Sequence, residues 1–164
     1  MTGSTLHLMV GLPGAGKTTQ ARRLARELPA VLLSADEWHL ALYGQDLRDP
    51  GPDRRYALHD RRHGVIEGLL RETAGRVLAA GADAILDFGF WSRPERDAMR
   101  AWARARGAQA RLHVAEAPLE TLLERLAARR ALDPEGSFAI TEADLLAWAR
   151  LYEPPTPDEL APSG

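Results

Sequence analysis

The chain has 164 residues, a mass of 18.0 kDa and a formal net charge of −2 at pH 7. That length can bury a core without staples, a 45% apolar share is too high for a disordered chain, and no run approaches the roughly 18 apolar residues of a membrane span. Cysteine is absent, which excludes disulfides, zinc–thiolate sites and a thiol nucleophile; with no signal-peptide pattern at the N-terminus, a cytoplasmic location is expected. Only one of the 21 Lys+Arg residues is a lysine, Lys17. Asparagine is missing too, as a G+C-rich genome would produce. Such bias accounts for the arginines but not for where the one lysine stands.

Leu6 to Val10 is an apolar run closed by Gly11, and Thr18 to Leu28 has helical spacing at Ala21, Leu24, Ala25 and Leu28. The order is therefore strand, Gly-rich loop, helix. Val31 to Leu33 is a second strand, and Glu37 to Tyr43 a helical turn or two. Gly44 to Asp53 reads as a loop. From about Arg54 to Ala80 the apolar spacing suits one long helix, or two broken at Gly64 or Gly68. Ala84 to Leu86 is a buried strand ending at Asp87, and a helix opens at Pro94 and runs to about Arg106. Ala110 to Ala115 is the fourth strand, Pro118 opens a helix to about Ala131, and Asp133-Pro134-Glu135-Gly136 is loop. Thr141 with Asp144 three residues on resembles an N-cap for a last helix to about Tyr152. The Glu153 to Pro157 tail is too rich in proline for helix or central strand.

Alternating strands and helices predict an α/β fold of three layers, with a mostly parallel sheet of about four strands. No repeat or linker divides the chain, so residues 1–164 are expected to be a single domain.

Gly11-Leu12-Pro13-Gly14-Ala15-Gly16-Lys17-Thr18, followed by Thr19, matches the P-loop pattern. A chance match in a chain of this composition is expected on the order of once in a thousand sequences. Its glycines let successive N–H groups face one anion, and the following helix adds its positive end. Lys17 then reaches the β- and γ-phosphates, and Thr18 is placed to ligate Mg²⁺. A compact ammonium fits inside such a backbone cradle where a broad guanidinium would crowd it, which gives the one lysine a task.

In open α/β sheets ligands bind beyond the carboxyl ends of the strands, where Asp36 and Asp87 fall. Asp87 reads as a ligand of Mg²⁺ or of its waters, or else as a buried turn residue. Asp36 reads as a general base toward an acceptor hydroxyl, or else as the N-cap of Glu37 to Tyr43. Arg125 and Arg129, four apart, share a helix face; they suit a lid closing on the transferring phosphoryl group, or a solvated face. The aromatics Phe88, Phe90, Trp91, Trp38 and Tyr43 are candidates for an acceptor pocket or for core packing. His59 and His63, also four apart, lack a third ligand at a telling spacing and read as a charged helix face. Arg54, Arg55, Arg61 and Arg62 are the best argument for a polyanionic acceptor, diluted by Asp53 and Asp60.

Gly11 to Thr19, Leu33-Ser34-Ala35-Asp36-Glu37, Asp87-Phe88-Gly89-Phe90-Trp91 and Leu122 to Arg129 together resemble the small P-loop kinases related to zeta toxins, chloramphenicol phosphotransferase and polynucleotide 5′-hydroxyl kinase, bacterial AAA-type ATP-binding proteins. The resemblance spans roughly Leu6 to Tyr152. It implies ATP- or GTP-dependent, Mg²⁺-dependent transfer to a hydroxyl, with Asp36 in the base position and the arginines after the fourth strand in a lid at about residues 125–140, ahead of a Pro-rich tail at 153–164. The acceptor expected first is a small molecule such as a sugar, nucleoside or antibiotic. A nucleic-acid 5′ end is the second enzymatic possibility, and a nucleotide-binding switch or ATPase the third.

Overall fold

The computed structural model describes residues 3–47 and 52–161, the side chains of 52–55 excepted. The elements run in order β1 (Thr5–Val10), α1 (Lys17–Glu27), β2 (Ala30–Ser34), α2 (Ala35–Tyr43), α3 (Pro52–Ala79), β3 (Asp83–Gly89), α4 (Arg93–Arg104), β4 (Gln109–Val114), α5 (Leu119–Leu132), α6 (Glu142–Ala149) and α7 (Pro157–Leu160). All four strands are parallel, in the order β2-β3-β1-β4.

Side chains alternate across the sheet, and each set finds its own layer of helices. Leu6, Leu8 and Val10 of β1 with Ala84 and Leu86 of β3 pack against Ile66, Leu70, Ala74 and Leu78 of α3 and Met99 and Ala103 of α4. Met9 and Ile85 point the other way, onto Ala21, Leu24 and Ala25 of α1. A third cluster, around Leu12, Ala15, Leu122 and Leu145, joins α5 and α6 to the underside of the first loop.

Differences from the sequence reading are local. Glycine costs a helix only about 1 kcal/mol, and α3 passes Gly64 and Gly68 as one helix because Ile66, Leu70, Ala74 and Leu78 bury a continuous stripe. In the loop expected from Gly44 to Asp53, residues 48–51 lie outside the described residues, and helix begins by Pro52. The N-cap of α2 is Ser34, whose hydroxyl accepts from the Glu37 N–H at 3.4 Å, so Asp36 is free of capping duty. Thr141 and Asp144 form the reciprocal capping box on α6. The tail is extended only as far as Thr156; Pro157 then stands at the first turn of α7, where its missing N–H costs nothing.

That short helix is anchored. Arg96 and Glu159 are both fully buried and pair through two contacts, Nε to Oε1 at 2.7 Å and Nη2 to Oε2 at 3.1 Å. Arg96 Nη1 also donates to the carbonyls of Phe90 and Trp91, each at 3.1 Å. Phe90 needs such support, because its φ of 44° is left-handed, a costly conformation for an aromatic residue.

Candidate active site

The phosphate loop leaves β1 at Val10 and enters α1 at Lys17. Gly11 cannot be replaced without disruption: at φ 151° a Cβ would lie 2.3 Å from the Ala115 carbonyl oxygen. Gly14 is equally constrained, with φ 82° and Leu122 O at 3.0 Å from a Cβ position. The loop thus presses its backbone against Ala115 and the start of α5. Lys17 Nζ donates to the Leu12 carbonyl at 3.0 Å, lying along the loop. Burial lowers its pKa, opposed by the nearby charges of Asp87 and Asp36, while Arg129 lowers it further.

Asp87 lies inside β3 rather than beyond it. Between the pairs Leu8↔Leu86 and Val10↔Gly89, β1 contributes one residue and β3 two. This extra residue makes a bulge of the kind that re-aims side chains beside active sites, and Asp87 sits in it. Thr18 Oγ1 donates to Asp87 Oδ2 at 2.8 Å. The second oxygen, Oδ1, is buried without a hydrogen-bond partner. Burial raises the Asp87 pKa, against the pull of Thr18 and Lys17. An orphaned buried carboxylate oxygen beside a hydroxyl is a donor set suited to a hard cation such as Mg²⁺, so the residues fit that ion.

Asp36, in the first turn of α2, holds its carboxylate largely exposed, with His63 Nε2 at 3.7 Å from Oδ1. It lines a cleft of about 730 Å³ whose walls also include Gly14, Lys17, Thr18, Asp87 and Arg129. Thr19 joins them there. Phe88, Phe90 and Trp91 line the same cleft, whereas Trp38 and Tyr43 stand outside it with nearly half their surface exposed. Trp91 Nε1 donates to the Gly11 carbonyl at 3.1 Å, bracing the cradle. Arg125 Nη1 donates to the Gly14 carbonyl at 3.2 Å, so α5 touches the loop. Arg129 reaches the cleft one turn later, and Arg130 Nη1 instead donates to the Ser137 carbonyl at 2.9 Å, tying down the 133–140 loop.

Sequence reading missed several residues here. Asp60, Glu67 and Glu95 line the cleft beside Asp36, making its outer wall acidic. His59 and His63, expected as a charged helix face, turn inward and meet His39 of α2, which is fully buried. Asp46 joins them: burial raises its pKa, but hydrogen bonds from His59, His39 and Arg62 outweigh that and hold it at about 2. Of the basic cluster, Arg62 is occupied by Asp46 at 3.0 Å and by the Tyr43 ring, 4.4 Å from its centroid; the side chains of Arg54 and Arg55 lie outside the described residues. Among the described residues no helix is long and apolar enough to cross a membrane.

Comparison with known proteins bears on the family and the fold. No curated protein matches the sequence. Among solved structures, a candidate kinase from Chloroflexus aurantiacus j-10-fl superposes with TM-score 0.69 at 25% identity over 96% of this chain and 84% of that one. A chain of the Pnkp1/Rnl/Hen1 RNA repair complex superposes with TM-score 0.68 at 22% identity, over 92% of this chain but only 44% of that chain. A sugar kinase from Janibacter sp. HTCC2649 gives TM-score 0.61 at 21% identity, over 96% and 82%. The profile of the AAA domain family matches residues 6–155, from β1 to the start of the tail. The chain therefore belongs to that AAA domain family, and its fold is that of the P-loop kinases.

Proposed function

We propose that the protein is a kinase transferring the terminal phosphoryl group of ATP, or of GTP, to a hydroxyl of a small molecule. The observation that carries this reading is the one cleft shared by the phosphate loop and the largely exposed carboxylate of Asp36. A switch that merely holds nucleotide has no need of an exposed carboxylate in the same cleft as the phosphate loop. The cleft volume, about 730 Å³, is that of a site for a nucleotide fragment and a small acceptor together.

In this reading the loop N–H groups and Lys17 hold the phosphates, in a geometry that the backbone has already fixed before substrate arrives. Thr18 and Asp87 would hold Mg²⁺, which when bound would supply neutralising charge to the phosphates. Asp36 orients the acceptor hydroxyl and takes its proton as the oxygen attacks phosphorus. Arg129 approaches the transferring group from α5, and the 125–140 segment serves as the lid. Arg125, bonded to the Gly14 carbonyl, sets the lid against the cradle.

The acceptor side favours a small molecule over a nucleic-acid end. Asp36, Asp60, Glu67 and Glu95 would repel a phosphate backbone there, and Arg62 is already paired. An uncharged or cationic polyhydroxyl compound suits that wall. A cytoplasmic enzyme formed by one domain is the setting this reading implies. The test is a screen of sugars, nucleosides and hydroxylated antibiotics, with a 5′-hydroxyl oligonucleotide alongside, using γ-labelled ATP. Labelling of a small molecule is expected; label confined to inorganic phosphate across the whole panel would overturn the kinase reading.

A further inference from the structure

We propose that His39, His59 and His63 are the ligands of a transition-metal site, with Zn²⁺ the natural occupant, built between α2 and α3. The site is separate from the oxygen-lined pair Thr18 and Asp87. It does not rest on the kinase reading.

One nitrogen of each ring lies within 4.8 Å of the others, the one group of this kind among the described residues. His39 Nδ1 and His63 Nδ1 face each other at 3.2 Å, close to the spacing of about 3.3 Å that two nitrogens adopt on one tetrahedral zinc with Zn–N bonds near 2.0 Å. Ring centroids stand 4.4 Å apart for His39 and His59, and 5.4 Å for each of the other two pairs. Rings sharing one such ion would sit about 5 Å apart.

The rear of each ring is equally informative. His39 Nε2 lies 2.8 Å from Asp46 Oδ2 and His59 Nδ1 lies 2.7 Å from Asp46 Oδ1, so one carboxylate holds both. His63 Nε2 lies 3.5 Å from Glu67 Oε1 and 3.7 Å from Asp36 Oδ1. Metal-bound histidines characteristically give their second nitrogen to a carboxylate, which fixes the tautomer and raises the basicity of the ligating nitrogen. Here His39 and His59 do so through Asp46, and His63 has two carboxylates within ion-pair distance. Phe138 closes one flank, its ring edge-on to His39 at 5.2 Å and to His59 at 4.9 Å. Asp36, Glu67 and Asp60 act on His63, and Asp46, paired also with Arg62, holds the other two rings, a balance that favours a cation. Imidazole selects zinc, copper or nickel over magnesium.

Three protein ligands leave a fourth position. Because His59 and His63 both line the cleft, a ligand in that position, such as water, would be reached from the cleft.

The experiment is isothermal titration of Zn²⁺, with Co²⁺ as a spectroscopic probe, into tag-free protein stripped with chelator and without nucleotide. One equivalent should bind, with visible Co²⁺ bands of low-coordinate imidazole ligation. H59Q and H63Q, both at partly exposed positions, should each weaken binding at least tenfold, and D46N should weaken it 10- to 100-fold. D87N and H113Q should leave it unchanged, which separates this site from the phosphate loop and from the other histidine pair. Unchanged circular dichroism in the variants ensures that lost binding is not lost fold. Absence of a one-equivalent site in the wild-type protein, or binding indifferent to H59Q and H63Q, overturns the proposal.

Discussion

Thr18 Oγ1 donates a 2.8 Å hydrogen bond to Asp87 Oδ2, joining the first turn of α1 to the bulge of β3. The hydroxyl proton is thereby committed to Asp87, and its lone pairs remain available to a cation. Lys17 stands beside this pair. Replacing Lys17 with Ala is expected to reduce phosphoryl transfer at least about 10²-fold through loss of charge stabilisation, while leaving the thermal midpoint within a few degrees. Retention of wild-type turnover would remove Lys17 from the phosphate site.

Asp36 has no capping bond to lose, so Asp36→Asn should change chemistry rather than fold. Nucleotide affinity should stay within about twofold while kcat falls by about 10²- to 10⁴-fold, the range of general-base catalysis. Measuring affinity and single-turnover rate on the same variant decides it; an unaltered rate would assign the base to another group, Asp87 being the next in line.

Removing Glu159 strands a buried guanidinium. Glu159→Leu should cost about 3–5 kcal/mol in denaturant unfolding, and the paired change Arg96→Met with Glu159→Leu should recover much of that, because two apolar side chains bring no unpaired charge. Equal losses in the single and double variants would mean that Arg96 stabilises chiefly through the Phe90 and Trp91 carbonyls.

His7 and His113 meet at 2.9 Å on the α1 side of the sheet, with Asp83 3.4 Å from His7 and the cations Arg111 and Arg23 nearby. Burial lowers both pKa values, that of His113 to about 4. The unfolded histidines take up protons near pH 6.5, so between about 6.5 and 4 the unfolded state holds more protons and the native state loses stability as pH falls. Partial solvent access at His113 limits the loss to about 1–2 kcal/mol. His113→Gln should flatten the stability profile across that window; an unchanged slope would show that the pair contributes nothing to it.

Much of the site was legible because the P-loop is contiguous. Eight successive residues carry the glycine conformations, the ammonium and the hydroxyl, and local rules suffice to read them. Strand ends also located Asp36 and Asp87. What escaped was whatever depends on two elements meeting. His39 and His63 are 24 positions apart, and no helical or strand period links them across the α2–α3 connection. Arg96 of α4 and Glu159 are 63 apart, and Glu159 lies in a tail whose prolines argue against helix. Base or cap stayed open for Asp36 because Ser34 and Asp36 are both good caps, and only the backbone geometry at Ser34 chooses between them.

The tail carries one more consequence. Glu159 holds Arg96, Arg96 holds the Phe90 and Trp91 carbonyls, Trp91 holds the Gly11 carbonyl, and the Glu153 N–H donates to the Trp91 carbonyl at 2.9 Å. A nick between residues 153 and 156, far along the chain from any phosphate ligand, would therefore register first as weakened grip on nucleotide.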